Sequence, residues 1–246
     1  MALAGSASAA LNTGSQDITG SRSTPQYGDG NLKDNGGNPG PFGPYGWDYS
    51  YTRSFDGTKL VKDIQINFSF DAGLNYNAQQ KADYIKNTIA GAEGIWDNKY
   101  AIKDATTGTL YPILVEITTK GPFNQNVQVH AGTGRSDMVN WYVGDGAGVN
   151  AHEVGHMMGL YDEYIGGAVD KYPNPTLSND GLMGLGALNA NPVMYSRYYQ
   201  QYYDYMKQLN PDGRFILTAV PEPEQVVLLV AGLVLLMAVY ARKRQT

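Results

Sequence analysis

From Asp63 to Phe70, the apolar residues Ile64, Ile66, Phe68 and Phe70 alternate with Asp63, Gln65, Asn67 and Ser69. A period of two predicts a half-buried strand. The period then lengthens. From Asn77 to about Tyr100, the residues Ala82, Ile85, Ile89 and Trp96 fall on one stripe of a helix, with Asn77 as its N-cap. Residues 110–118 predict a second strand, 127–130 a third and 138–143 a fourth, followed by a turn over 144–148. A short, mostly apolar helix is expected from about Val149 to Gly159. After a loop rich in Pro, Asn and Gly, residues 192–209 carry Met194, Tyr195, Tyr198, Tyr199, Tyr202 and Met206 at helical spacing, and Pro211-Asp212-Gly213 ends the run. No internal repeat is present. This order predicts an α+β domain whose sheet is covered by helices.

Both ends of the chain lack this patterning. Gly, Asn, Ser and Pro crowd the first fifty positions, so residues 11–46 are expected to be a flexible lead-in and residues 47–215 the folded domain. Residues 1–10, MALAGSASAA, end in the small-residue box Ala7-Ser8-Ala9 and read as a remnant of an export signal. At the other end, residues 226–241 are apolar all round, predicting one transmembrane helix. Arg242-Lys243-Arg244 directly after it places the C-terminus in the cytoplasm and the domain outside.

Composition removes several function classes. The formal charge is −5, and no basic stripe exists to meet phosphates, so no nucleic-acid partner is expected. With no cysteine, disulfides, thiolate metal ligands and thiol catalysis are excluded. A monomer is expected.

The chemistry concentrates in residues 151–164, AHEVGHMMGLYDEY. His152 and His156 are one helical turn apart, so both imidazoles can face one Zn²⁺, with Glu153 placed as a base. Gly159 permits a left-handed turn that brings the chain back, and Asp162 lies where a third ligand is needed. Glu163 is its competitor for that position, whereas His130 reads as structural. The tyrosines after Pro192 offer a hydroxyl that could support an oxyanion, and Tyr195 and Tyr198 are both placed for it.

The pattern HExxHxxGxxD resembles the metzincin zinc endopeptidases, in particular the aspartate-bearing snapalysin-type branch. That resemblance implies a metzincin-like zincin domain: a mixed, mostly parallel twisted sheet with an active-site helix and a C-terminal helix. It also implies Zn²⁺ on His152, His156 and Asp162, Glu153 as general base toward water, and a protein or peptide substrate. A methionine turn beneath the metal is part of the family pattern. Met183 in Asp180-Gly181-Leu182-Met183-Gly184 fits it, in preference to Met194.

Residues 220–244 resemble the PEP-CTERM sorting signal: Pro221-Glu222-Pro223, one hydrophobic helix, then basic residues. Membership implies export in a Gram-negative bacterium, anchoring in the inner membrane, recognition by an exosortase-type enzyme and a link to the envelope or exopolysaccharide. The leading expectation is therefore an exported zinc endopeptidase. Its rival is a non-catalytic zinc-binding envelope or biofilm-matrix protein on the same fold, for which Glu153 would have no purpose.

Overall fold

The computed structural model of the chain describes residues 11–221. The expected signal remnant over 1–10, Glu222, Pro223, the apolar helix over 226–241 and the basic residues after it lie outside the described residues. Among the described residues, no helix is long and apolar enough to cross a membrane.

In chain order the elements are β1 (Gly14–Thr24), β2 (Tyr45–Phe55), β3 (Leu60–Phe70), α1 (Ala78–Trp96), β4 (Tyr100–Asp104) and β5 (Leu110–Thr118). They continue with β6 (Gln125–His130), β7 (Asn140–Tyr142), α2 (Ala147–Met157), α3 (Gln200–Leu209) and β8 (Phe215–Ala219). The strands form one eight-stranded sheet with β1-β2-β3-β5-β4-β8 along its main path and β6 and β7 branching from β3. Its centre is β3, which pairs antiparallel with β2, parallel with β5 over its first half, and parallel with β6 over its second.

The expected metzincin-like, mostly parallel sheet is corrected here. Four of the seven strand pairings are antiparallel: β1 with β2, β2 with β3, β4 with β5 and β4 with β8. The remaining three are parallel. The cause is local. Two of the antiparallel pairs are joined by tight turns, which permit no other direction. Asp56 holds the β2–β3 turn by accepting the Thr58 and Lys59 N–H groups, and Asp104 holds the β4–β5 turn through Thr106 and Thr107.

The lead-in is also corrected. Residues 14–24 pair with residues 45–55 over eleven positions, and the intervening loop folds back on itself. Tyr27, Phe42 and Val169 form a small second core beneath that loop. The Tyr27 hydroxyl donates to Gly167 O at 2.7 Å, and Thr24 Oγ1 to Val169 O at 2.8 Å. These bonds tie the N-terminal hairpin to the loop that follows α2.

Other expectations need smaller adjustments. The β3 alternation and the β5 strand are as read, with Ile64, Ile66, Ile113, Val115 and Ile117 all buried. Asn77 caps α1 in a full capping box with Gln80. The buried face of α1 is Thr88, Ala92 and Trp96, however, and Ala82 is exposed on a shallow surface groove with Ile85 and Ile89. The third helix starts later than expected. Val193 is held extended by Asp180 O and Leu182 N, so a short 3-10 turn at Ser196–Tyr199 precedes α3. Glu93 and Asp97 do the work of a missing strand beside β5. Their carboxylates accept the Ile117 and Val115 N–H groups where β4 no longer reaches.

Lys62 is fully buried on β3, between the faces of Tyr51 and Tyr202, each 4.6 Å from Nζ, and it donates to Gln201 Oε1 at 2.9 Å. Burial, and secondarily Arg53, push its amine down to about 7. A lowered lysine means the unfolded chain holds the proton more tightly. Wild-type stability should therefore climb as pH rises from about 7 toward the ordinary lysine value. Holding the amine charged in this setting costs the fold several kcal/mol, roughly 5 kcal/mol by the size of the shift, and cation–π attraction to the two rings works against that cost. Lys62→Met should stabilise the fold by about 2–4 kcal/mol below pH 7, with the gain fading toward pH 10. Gln201 Oε1 keeps its bond from the Tyr51 hydroxyl at 2.7 Å. Urea titrations at pH 6 and pH 10 measure this; a destabilised variant, or a gain independent of pH, contradicts it.

Candidate metal centre

The site is carried by α2, whose residues from Gly148 to Met157, apart from the half-open Val149 turn, are mostly buried. Three contacts fix the helix from different sides. Trp96 Nε1 donates to Ala151 O at 2.9 Å, the backbone at Gly148 packs tightly on Ala187 O, and the backbone at Gly155 rests on Met183. The helix ends as the sequence suggested. Gly159 has φ of +80°, Gly159 N–H bonds His156 O, and Leu160 N–H bonds Gly155 O, which together form a Schellman cap. The N-terminal hairpin completes that cap. Trp47 Nε1 donates to His156 O at 3.0 Å and Arg22 Nε to Gly159 O at 2.8 Å. A segment read as loose thus satisfies carbonyls that a helix end leaves open.

An alanine at position 155 should reveal how close this packing is. A methyl group there would collide with Met183 Sδ and lie 2.9 Å from Cε. Helix propensity alone favours alanine by about 1 kcal/mol, whereas overpacking costs about 1–3 kcal/mol. Gly155→Ala should therefore lose stability in denaturant titration by about 1–2 kcal/mol. A variant more stable than wild type would show that Met183 yields freely.

Both histidines are oriented through their Nδ1 atoms. His152 Nδ1 lies 2.8 Å from Leu182 O, and His156 Nδ1 lies 2.9 Å from Leu160 O. A carbonyl can only accept, so Nδ1 carries a proton, and in the neutral imidazole each Nε2 presents a lone pair. The two Nε2 atoms face each other at 3.1 Å, and Asp162 Oδ1 lies 2.9 Å from one and 3.3 Å from the other. Asp162 Oδ2 is occupied by the Ala168 N–H at 2.6 Å, which leaves Oδ1 buried with no hydrogen-bond donor.

Three electron-pair donors thus converge in a buried pocket, and His152, His156 and Asp162 could hold one metal ion between them. Two Nε2–H groups could not oppose each other at 3.1 Å, whereas two ligands about 2.0–2.1 Å from one ion at a tetrahedral angle are ~3.3 Å apart. The donor set fits a cation. The same three groups are tightly coupled in charge. Burial would raise the Asp162 carboxyl, but the two imidazoles outweigh it and hold it far below the usual carboxylate range. Burial would lower His156, but Asp162 outweighs it and lifts the imidazole to about 9.

Glu153 faces the same space. It is buried, and its Oε2 has no hydrogen-bond partner among the described residues. Burial raises its carboxyl, with the two histidines pulling the other way. A buried carboxylate oxygen without a partner is costly, and such groups cluster at functional sites. Two cavities open beside it. One of ≈ 890 Å³ reaches Asp34, Asp145 and Leu188, and one of ≈ 660 Å³ reaches Tyr45, Trp47 and Met138.

Other expected site residues lie elsewhere. Glu163 is taken up by Arg197, which grips it through Nε and Nη2 at 2.6 Å each, and by the Tyr198 hydroxyl at 2.8 Å. It is therefore no rival to Asp162. That bond occupies Tyr198, and Tyr195 donates to Asp180 at 2.6 Å, so neither hydroxyl joins the pocket. Met183 is fully buried and lies against Gly155 of α2, while Met194 is only partly buried. His130 bridges Asp71 at 2.7 Å and Asn140 at 2.9 Å, away from the histidine pair. Sequence reading missed Tyr164 and Arg135, which line both cavities. Tyr164 follows Asp162 by two positions and was legible as a neighbour; Arg135 lies in a glycine-rich loop that shows no pattern.

Neither protein-family models nor curated proteins nor solved structures give a match to this chain.

Proposed function

We propose that the chain is an exported zinc-dependent endopeptidase. The observation that carries this reading is the meeting, in one buried pocket, of three inward-facing ligand atoms with the unpaired carboxylate of Glu153. Two imidazoles and a carboxylate suit Zn²⁺ and also Fe²⁺. Glu153 favours zinc and hydrolysis, because an iron oxygenase has no need of a base at that position.

Held by His152, His156 and Asp162, zinc supplies Lewis acidity and makes water acidic enough to act near neutral pH. The remaining steps belong to the chain. Glu153 accepts a proton from the attacking water as its oxygen bonds the carbonyl carbon. It then delivers that proton to the departing nitrogen, the C–N bond breaks, and a carboxylate and an amine result. Leu182 O and Leu160 O keep both imidazoles in one tautomer throughout. Two cavities that both reach Glu153 give room for a chain beyond the reacting bond, which supports an endopeptidase over an enzyme that trims ends.

Cleavage of casein by the full chain, lost on chelation and restored by Zn²⁺, tests the reading. A folded, zinc-loaded protein that leaves casein and a mixed peptide library intact argues for the non-catalytic zinc-binding alternative. The sorting part of the proposal rests on residues 220–244. Deleting them should move the protein from the membrane fraction to the soluble fraction of an exporting host; equal solubility of both forms removes that part of the proposal.

A further inference from the structure

The cavities beside Glu153 share the lining residues Arg135, Ser136, His152, Glu153 and Tyr164. A peptide laid from one cavity to the other crosses these five. His152 and Glu153 already have roles. Ser136 has used its one proton, since Oγ donates to Asp145 Oδ2 at 2.6 Å.

Tyr164 differs. Its ring lies beside that of His152, with centroids 6.1 Å apart. The Arg135 guanidinium interacts electrostatically with its side chain, and a guanidinium can only donate, so the phenol proton is not consumed by that contact. Arg135 is itself anchored by Gly166 O at 3.3 Å. Tyr164 therefore lines both cavities with its phenol proton unspent, in company with a metal-ligand candidate and the base.

We propose that Tyr164 is a catalytic residue whose hydroxyl hydrogen-bonds the scissile carbonyl oxygen, and that Arg135 is the residue that positions it. This rests on the hydrolase reading above. As water adds to the carbonyl carbon, the C=O electron pair moves onto oxygen, and a donor already aimed there gains strength in the transition state. Arg135 strengthens the donor by polarising the phenol oxygen, and it holds the hydroxyl where the oxygen will be. The substrate class is a peptide bound in extended form, with its reacting carbonyl turned toward Tyr164.

The test uses the full chain loaded with zinc. Tyr164→Phe should lower kcat by about 10²–10³-fold while KM changes little. Its affinity for a phosphinic peptide, which carries the charged oxygen, should fall by a comparable factor in titration calorimetry. Zinc stoichiometry should stay at the wild-type value, which separates this role from support of the metal site. Arg135→Gln should cause a smaller loss, and none further when combined with Tyr164→Phe. A phenylalanine variant that turns over and binds the phosphinic peptide like wild type overturns this inference alone. A loss of kcat matched by an equal loss of zinc also overturns it. If wild type neither cleaves peptides nor binds the phosphinic peptide, the hydrolase reading falls and this inference falls with it.

Discussion

Glu153→Gln should lower peptide cleavage by about 10²–10⁴-fold, the range for losing a positioned general base, while zinc content stays that of wild type. Glutamine keeps the shape of the side chain but cannot accept the proton from water. It also removes a buried, unpaired carboxylate oxygen, so the variant should be at least as stable as wild type in thermal unfolding. The combination is diagnostic. A structural glutamate would lose stability on substitution, and a ligand would lose metal. Full activity in Glu153→Gln would remove the residue from the mechanism.

Asp162→Asn should abolish the metal site without unfolding the chain. The amide oxygen can still accept the Ala168 N–H, as Asp162 Oδ2 does at 2.6 Å. The NH₂ group is then turned toward the two Nε2 lone pairs, where it fills the space a cation would use. Loss of partners that merely orient ligands costs about 10–100-fold in metal affinity, so loss of a ligand should cost at least about 100-fold. Competition with a chromophoric chelator measures it. Glu163→Gln is the contrasting variant, because Glu163 is bonded to Arg197 and Tyr198. It should keep wild-type zinc affinity and lose about 1.5–3 kcal/mol of stability. The reverse pattern would make Glu163 the ligand.

The difference between these two adjacent acids shows what the sequence could and could not reveal. Spacing along α2 placed His152, Glu153 and His156, because helical geometry is local. Gly159 was equally legible, since a helix that must stop and turn back favours a residue at positive φ, here +80°. Asp162 over Glu163 followed only from the ten-residue interval; what secures it is the Ala168 N–H and the Arg197 side chain, both brought in by tertiary structure. Tyr195 and Tyr198 stood at suitable spacing, yet Asp180 and Glu163 hold their hydroxyls elsewhere.

The sheet was legible where one face is aliphatic, in β3 and β5. β1, with the sequence GSQDITGSRST, is mostly exposed and carries no apolar alternation, so nothing in it distinguishes a strand from a loop. It is ordered by pairing with β2. β4 and β8 are five-residue strands that pair with each other across more than a hundred positions of sequence, a contact that local pattern does not encode. The parallel expectation failed for the same reason. Direction was set by the turns at Asp56 and Asp104 and by distant pairing, neither of which periodicity reports.

The central claim is that His152, His156, Asp162 and Glu153 form a zinc-dependent peptide-bond hydrolase. Its most direct test is to incubate the zinc-loaded full chain with a peptide library in H₂¹⁸O and to read the products by mass spectrometry. The account predicts cleavage at internal bonds, with ¹⁸O in each newly formed carboxylate and no products from Glu153→Gln. A folded protein holding one zinc per chain that yields no new termini would contradict it.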